Sequence, residues 1–128
     1  NITNPNVRDN AGHGIRIDST TLNNCSIVNP AIGGNSRGNS GNSGIFIGVN
    51  VNNVYIAGGK IGGDAKLSSS SATQGRGIFI NGATHSNLRI IGTNVNDNVD
   101  SNGIGVSINS GSGNTIKFNA GSSTDIDT

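Results

Sequence analysis

The chain has 128 residues, enough for one domain with a modest core. Its composition (21 Gly, 3% aromatic, 12% charged, no Met or Trp) resembles that of a low-complexity chain, yet a formal net charge of +1 gives neither the self-repulsion that keeps a chain expanded nor the basic footprint of a nucleic-acid binder. No apolar run approaches the roughly 18 residues that span a bilayer, so no membrane insertion is expected, and a single cysteine excludes an internal disulfide.

In chain order, the first apolar positions are Ile2 and Val7, in a stretch without the charged and apolar regions of a signal peptide. A short alternating segment follows, Gly14-Ile15-Arg16-Ile17. It returns as Gly44-Ile45-Phe46-Ile47, Gly77-Ile78-Phe79-Ile80 and Gly103-Ile104-Gly105-Val106, at spacings of 30, 33 and 26 residues. Period-two alternation of β-branched residues predicts a strand at each. A second strand is predicted after each opening: Cys25-Ser26-Ile27, Val54-Tyr55-Ile56, Leu88-Arg89-Ile90 and Ile116-Lys117-Phe118. Asn24, Asn53 and Asn87 directly precede the first three. Asn114 sits one position earlier, which predicts a shifted turn there. A third apolar position comes five residues after the second strand's last one, in the pairs Ile27/Ile32, Ile56/Ile61, Ile90/Val95 and, at the N-terminus, Ile2/Val7. Three residues further on stands Asn10, Asn35, Asp64 or Asn98.

A repeat of three short strands cannot bury its apolar side alone, and stacking of successive repeats supplies the core. The implied inward columns are Ile15/Ile45/Ile78/Ile104, Ile17/Ile47/Ile80/Val106, Cys25/Val54/Leu88/Ile116, Ile2/Ile27/Ile56/Ile90/Phe118 and Val7/Ile32/Ile61/Val95. Asn10, Asn35, Asp64 and Asn98 would form a turn column, because an amide both donates to one neighbour and accepts from the other. The fold class is therefore all-β: a single-stranded parallel β-helix (solenoid) of about four to five rungs, with no helical domain. Residues 1–128 read as one segment. The chain begins mid-repeat and shows no capping helix, so it is expected to be excised from a longer chain.

These motifs resemble those of right-handed parallel β-helices of the pectate-lyase-like type, and most of all those of bacteriophage tailspike and appendage proteins, over roughly residues 2 to 118. The resemblance implies the right-handed sense, a homotrimer, a place in the virion tail and a bacterial surface polysaccharide as partner. A secreted or cell-surface bacterial protein is the alternative location. On this scaffold, function divides between a structural and host-glycan-binding segment of a tailspike and part of a polysaccharide lyase or glycoside hydrolase with catalytic residues here or in missing rungs. No cofactor is implied.

Function is expected on the outer surface. The long connections over 36–43 and 65–76 leave from one corner and would project side by side, as binding loops or as solvated insertions. The outward position of the first strand reads Arg16, Phe46, Phe79, Gly105. Stacked outward rings are either a sugar platform, a subunit contact, or a seat for the long loops. Tyr55 and Arg89 form a second outward pair, with the guanidinium over the ring. Gly44, Gly48 and Gly77 leave room for a shallow groove floored by the two Phe rings. With no Glu, carbohydrate cleavage would need Asp pairs, of which Asp64, Asp97 and Asp100 are nearest in the proposed register. Turn Asp residues are usually structural, and no metal-ligand spacing is present. His13 and His85 read as solvated turn residues, Cys25 as a small core hydrophobe, and the glycine-rich turns lack the Gly-Lys-Ser/Thr of a phosphate loop.

Overall fold

The computed structural model describes residues 1–8, 10, 12–18, 21–33, 43–62, 76–96, 104–108, 115–118 and 125–127. All regular structure in them is extended: β1 (Ile2–Thr3), β2 (Asn6–Arg8), β3 (Ile15–Ile17), β4 (Thr21–Val28), β5 (Ala31–Gly33), β6 (Ser43–Ile47), β7 (Asn50–Ala57), β8 (Lys60–Gly62), β9 (Arg76–Ile80), β10 (His85–Asn96), β11 (Ile104–Ile108), β12 (Thr115–Phe118) and β13 (Asp125–Asp127).

Every pairing is parallel, and the strands form three ladders. One runs β1-β4-β7-β10-β12, one β2-β5-β8-β10, and one β3-β6-β9-β11-β13. The first two merge into a single strongly curled sheet of eight strands, because β10 pairs with β7 through its first half and with β8 through its last residues. The chain visits the ladders in a fixed order, first, second, third, and then begins again. Parallel neighbours therefore come from successive passes, as the repeat pattern requires.

The register matches the predicted columns through the first three passes. Ile2, Ile27, Ile56 and Ile90 lie opposite one another, as do Val7, Ile32, Ile61 and Val95, and Ile17, Ile47 and Ile80. These columns face one apolar cluster in which Ile27, Ile45, Ile47, Ile56, Ile61, Ile78, Ile80 and Ile90 are fully buried. At about 25 cal/mol per Å² of apolar surface, each buried isoleucine contributes roughly 2 kcal/mol. Branched side chains fit because strands about 4.8 Å apart bring their Cβ atoms into direct contact.

The fourth pass departs from the predicted register by two residues. Val106 lies opposite Ile78 and Ile108 opposite Ile80, where Ile104 and Val106 were expected. In the first ladder Ile116 lies opposite Ile90 and Phe118 opposite Thr93, where Leu88 and Ile90 were expected. A slip of two leaves every side chain on its own side of the sheet, whereas a slip of one inverts all of them. Apolar residues alternate from 104 to 108, so either register fills the core, and Val106 and Ile108 are buried. Outwardly, Ser107 replaces Gly105 as the partner of Phe79.

Two corners are built from left-handed backbone. Asn24, Asn53 and Asn87 have φ of 50°, 57° and 51°, inside strands longer than the three-residue ones expected. Asn tolerates this conformation better than other side-chain-bearing residues. Its amides then stack: Asn53 Nδ2 donates to Asn24 Oδ1 at 2.7 Å and Asn87 Nδ2 to Asn53 Oδ1 at 2.8 Å. The second corner holds Asn4, Asn29, Gly58 and Gly92 at φ between 53° and 65°, with Asn29 Nδ2 donating to Asn4 Oδ1 at 3.0 Å. The amide ladders thus stand at Asn24/Asn53/Asn87 and Asn4/Asn29. Of the turn column expected at Asn10, Asn35, Asp64 and Asn98, only exposed Asn10 lies within the described residues.

Candidate functional site

The third ladder carries the rings. Arg16, Phe46 and Phe79 lie opposite one another on β3, β6 and β9. Flanking isoleucines take the inward positions, so all three side chains point away from the core. Both rings are half-buried. Their centroids are 5.6 Å apart at an interplanar angle of 64°, an edge-to-face arrangement that places a positive ring edge on a negative ring face.

Cations and a further ring surround the pair. The Arg16 guanidinium lies 5.8 Å from the Phe46 centroid and that of Arg76 4.4 Å from the Phe79 centroid. His13 stacks on Phe46 at 4.6 Å and 22°. The array therefore holds His13, Phe46 and Phe79, with Arg16 and Arg76 over the rings, where the π-faces stabilise positive charge. Arg16 Nε also donates to Asp18 Oδ2; both side chains are exposed, so the ion pair orients more than it stabilises.

His13 is not the solvated turn residue expected. Its Nδ1 accepts the Ser43 N–H at 2.9 Å, while the Gly14 N–H donates to the Ser43 carbonyl at 3.1 Å. Burial pushes its pKa below the ordinary imidazole value and the Arg16 charge pushes the same way, with Asp18 opposing. The groove expected above the glycines is also occupied. Gly44 and Gly77 are buried in their strands, and a Cβ at Gly48 would lie 2.8 Å from Phe46 Cε1 and 2.5 Å from Asp18 Oδ1. The Phe46 ring therefore lies on Gly48 and fills the space that glycine leaves, and the rings form a raised face. The long connections expected beside it lie, apart from Ser43 and Arg76, outside the described residues.

Tyr55 and Arg89 face each other on β7 and β10, with the guanidinium 5.3 Å from the ring centroid. They belong to the first ladder, so the structure separates this pair from the Phe46/Phe79 array. His13 and Arg76 are the members that sequence reasoning missed. A signal was present: His13, Ser43 and Arg76 each stand immediately before the glycine of the Gly-Ile-x-Ile opening, a polar position repeated pass after pass.

His85 also departs from expectation. It lies on β10, opposite Val51, which lies opposite Leu22, and is 3% exposed. Neither ring nitrogen reaches a partner in hydrogen-bonding geometry. Burial pushes its pKa below the ordinary value, with the Gly82 backbone opposing. Of the acidic cluster proposed for catalysis, Asp64, Asp97 and Asp100 lie outside the described residues. Among the described residues no group of three His, Cys, Asp or Glu is placed to hold a metal ion, and no helix is long and apolar enough to cross a membrane. Comparison with protein families, with curated proteins and with solved structures finds no match for the chain.

Proposed function

We propose that the chain is a segment of a right-handed parallel β-helix from a phage tailspike or related appendage, and that its ring-bearing face docks a bacterial surface polysaccharide. The fixed order in which the chain visits three parallel ladders supports the solenoid reading, since each pass then amounts to one rung. The right-handed sense rests on the resemblance and on the strong preference of parallel crossovers for that hand. The homotrimer and the virion location rest on the resemblance alone.

The observation that carries the binding reading is the half-exposed Phe46/Phe79 pair with guanidinium groups over its rings. Ring faces pack against the apolar faces of sugars, and the guanidiniums add positive, directional donors at the margin. Such a face suits a saccharide bearing carboxylates. Turnover has no support among the described residues, which bring no two carboxylates together.

The test is a double variant, Phe46→Ala with Phe79→Ala, titrated with acidic bacterial polysaccharides by calorimetry and examined by sedimentation. Loss of binding with assembly unchanged is the expected result. Binding retained at wild-type affinity overturns the reading. A change in assembly state would instead assign the rings to a subunit contact.

A further inference from the structure

The first halves of β4, β7 and β10 form a separate feature, an open groove of about 470 Å³ lined by Thr21, Asn23, Asn52, Thr84, His85 and Ser86, among others. Its polar groups are incompletely used. Asn52 Oδ1 accepts from Ser86 Oγ at 3.0 Å, which leaves Asn52 Nδ2 with no partner among the described residues. Asn23 lies opposite Asn52 in the parallel register, and its amide likewise has none. His85 lines the same groove with both ring nitrogens buried and unpartnered. Leaving such buried groups unsatisfied costs free energy unless solvent or a ligand supplies the missing partner.

The groove is also pre-shaped. Asn50 Oδ1 accepts the Ala83 and Thr84 N–H groups at 3.0 and 3.1 Å, and the Val51 N–H donates to the Thr84 carbonyl at 3.2 Å. Gly82 lies so close to the chain at Val49 that an added Cβ would fall 2.3 Å from the Val49 carbonyl oxygen. Crossed hydrogen bonds and a close backbone contact therefore fix the turn at 81–84 against the start of β7, and little ordering remains to oppose binding.

We propose that this groove binds an uncharged, hydroxyl-rich ligand, a neutral oligosaccharide, through the Asn23 and Asn52 amides and the His85 imidazole. Hydroxyl groups donate and accept at once, which matches amides and an imidazole with both nitrogens available. Lysine, arginine, aspartate and aromatic rings are all absent from the groove lining, so an ionic ligand would be desolvated there without a counter-charge. Equivalent positions recur from strand to strand about every 4.8 Å, a spacing suited to a chain of sugar units lying across the strands. This site is separate from the ring-bearing face, and the inference stands without it.

The intact chain is titrated with maltoheptaose, cellohexaose and mannohexaose, and with trigalacturonate as the charged control, while NMR follows the imidazole C–H signals of both histidines. A neutral oligosaccharide should shift the His85 signals and leave those of His13 in place. Asn23→Ala with Asn52→Ala, at exposed positions that should not disturb folding, should weaken that affinity about tenfold or more. Phe46→Ala with Phe79→Ala should leave it unchanged. The proposal fails if no neutral probe moves His85 at millimolar concentration, if only His13 responds, if trigalacturonate binds equally well, or if the Asn23/Asn52 variant binds like wild type.

Discussion

Asn87 donates through its Nδ2 to Oδ1 of Asn53 at 2.8 Å, and both residues hold left-handed backbone. Asn53 passes the chain of amides on to Asn24 at 2.7 Å. One residue type thus meets two demands at this corner: a φ that most side chains resist, and a side chain that can both donate and accept. Substitution separates the two. Asn53→Gly keeps the backbone conformation and loses the two amide bonds, a cost of about 1 kcal/mol at an exposed site. Asn53→Ala loses both the bonds and the tolerance of positive φ, and should cost about 2 kcal/mol. Urea denaturation of the two variants measures the difference. Equal midpoints would mean that the backbone conformation contributes nothing.

The other corner offers the converse experiment. Gly58 has φ 62° and follows Asn4 and Asn29 in the column, and the nearest atoms to an added Cβ are those of Asn29 at 4.0 Å. Gly58→Asn should extend the amide ladder while reducing the freedom of the unfolded chain. The expected result is a melting temperature equal to or a few degrees above wild type. A fall of similar size would show that the side chain cannot join the column.

The core register has a sharper test. Ile47 is fully buried between Ile17 and Ile80. Ile47→Asp places an uncompensated carboxylate there, which should exceed about 4 kcal/mol and unfold the segment. Ile47→Val removes one methylene and should cost only about 1 kcal/mol. Circular dichroism during thermal melting distinguishes them. An aspartate variant that melts close to wild type would contradict the buried position.

Stability should also fall on the acid side of neutrality. His13 and His85 both have folded-state pKa values below the ordinary 6.5. The unfolded chain therefore takes up protons first, as pH drops through about 6.5, and folding stability declines until the lower folded-state values are passed. Above that window both states are deprotonated and the contribution is constant. His13→Asn, whose Oδ1 can take over the Ser43 N–H, should flatten part of this dependence. Urea midpoints between pH 8 and pH 5 give the slope, and an unchanged slope in the variant would remove His13 from the account.

Much of the fold was legible because β-structure writes its sidedness at period two. The inward columns through Ile45, Ile47, Ile56, Ile61, Ile80 and Ile90 follow from that alone. The register of β11 and β12 was not legible, because the same period leaves a two-residue slip invisible: Val106 suits the place opposite Ile78 as well as the place opposite Ile80. The outward rings could be read from their alternation with isoleucine. Their partners could not, since His13 and Arg76 reach Phe46 and Phe79 from another part of the repeat. The burial of His85 was hidden by the greater length of β10, which extends the inward column of Leu22 and Val51 to a residue type that composition assigns to the surface.

The amide ladders join residues 25, 29 and 34 positions apart in the chain. Each pairing therefore closes a loop of similar length, and the entropy lost per added layer is nearly constant along the molecule. Such a chain has no single late, long-range step in folding. Assembly can start at any adjacent pair of layers and spread in both directions, and the strands with neighbours on both sides should hold their amide protons longest. Hydrogen exchange would then be slowest in β7 and faster in β1, β2 and β3, which lie at the sheet edges.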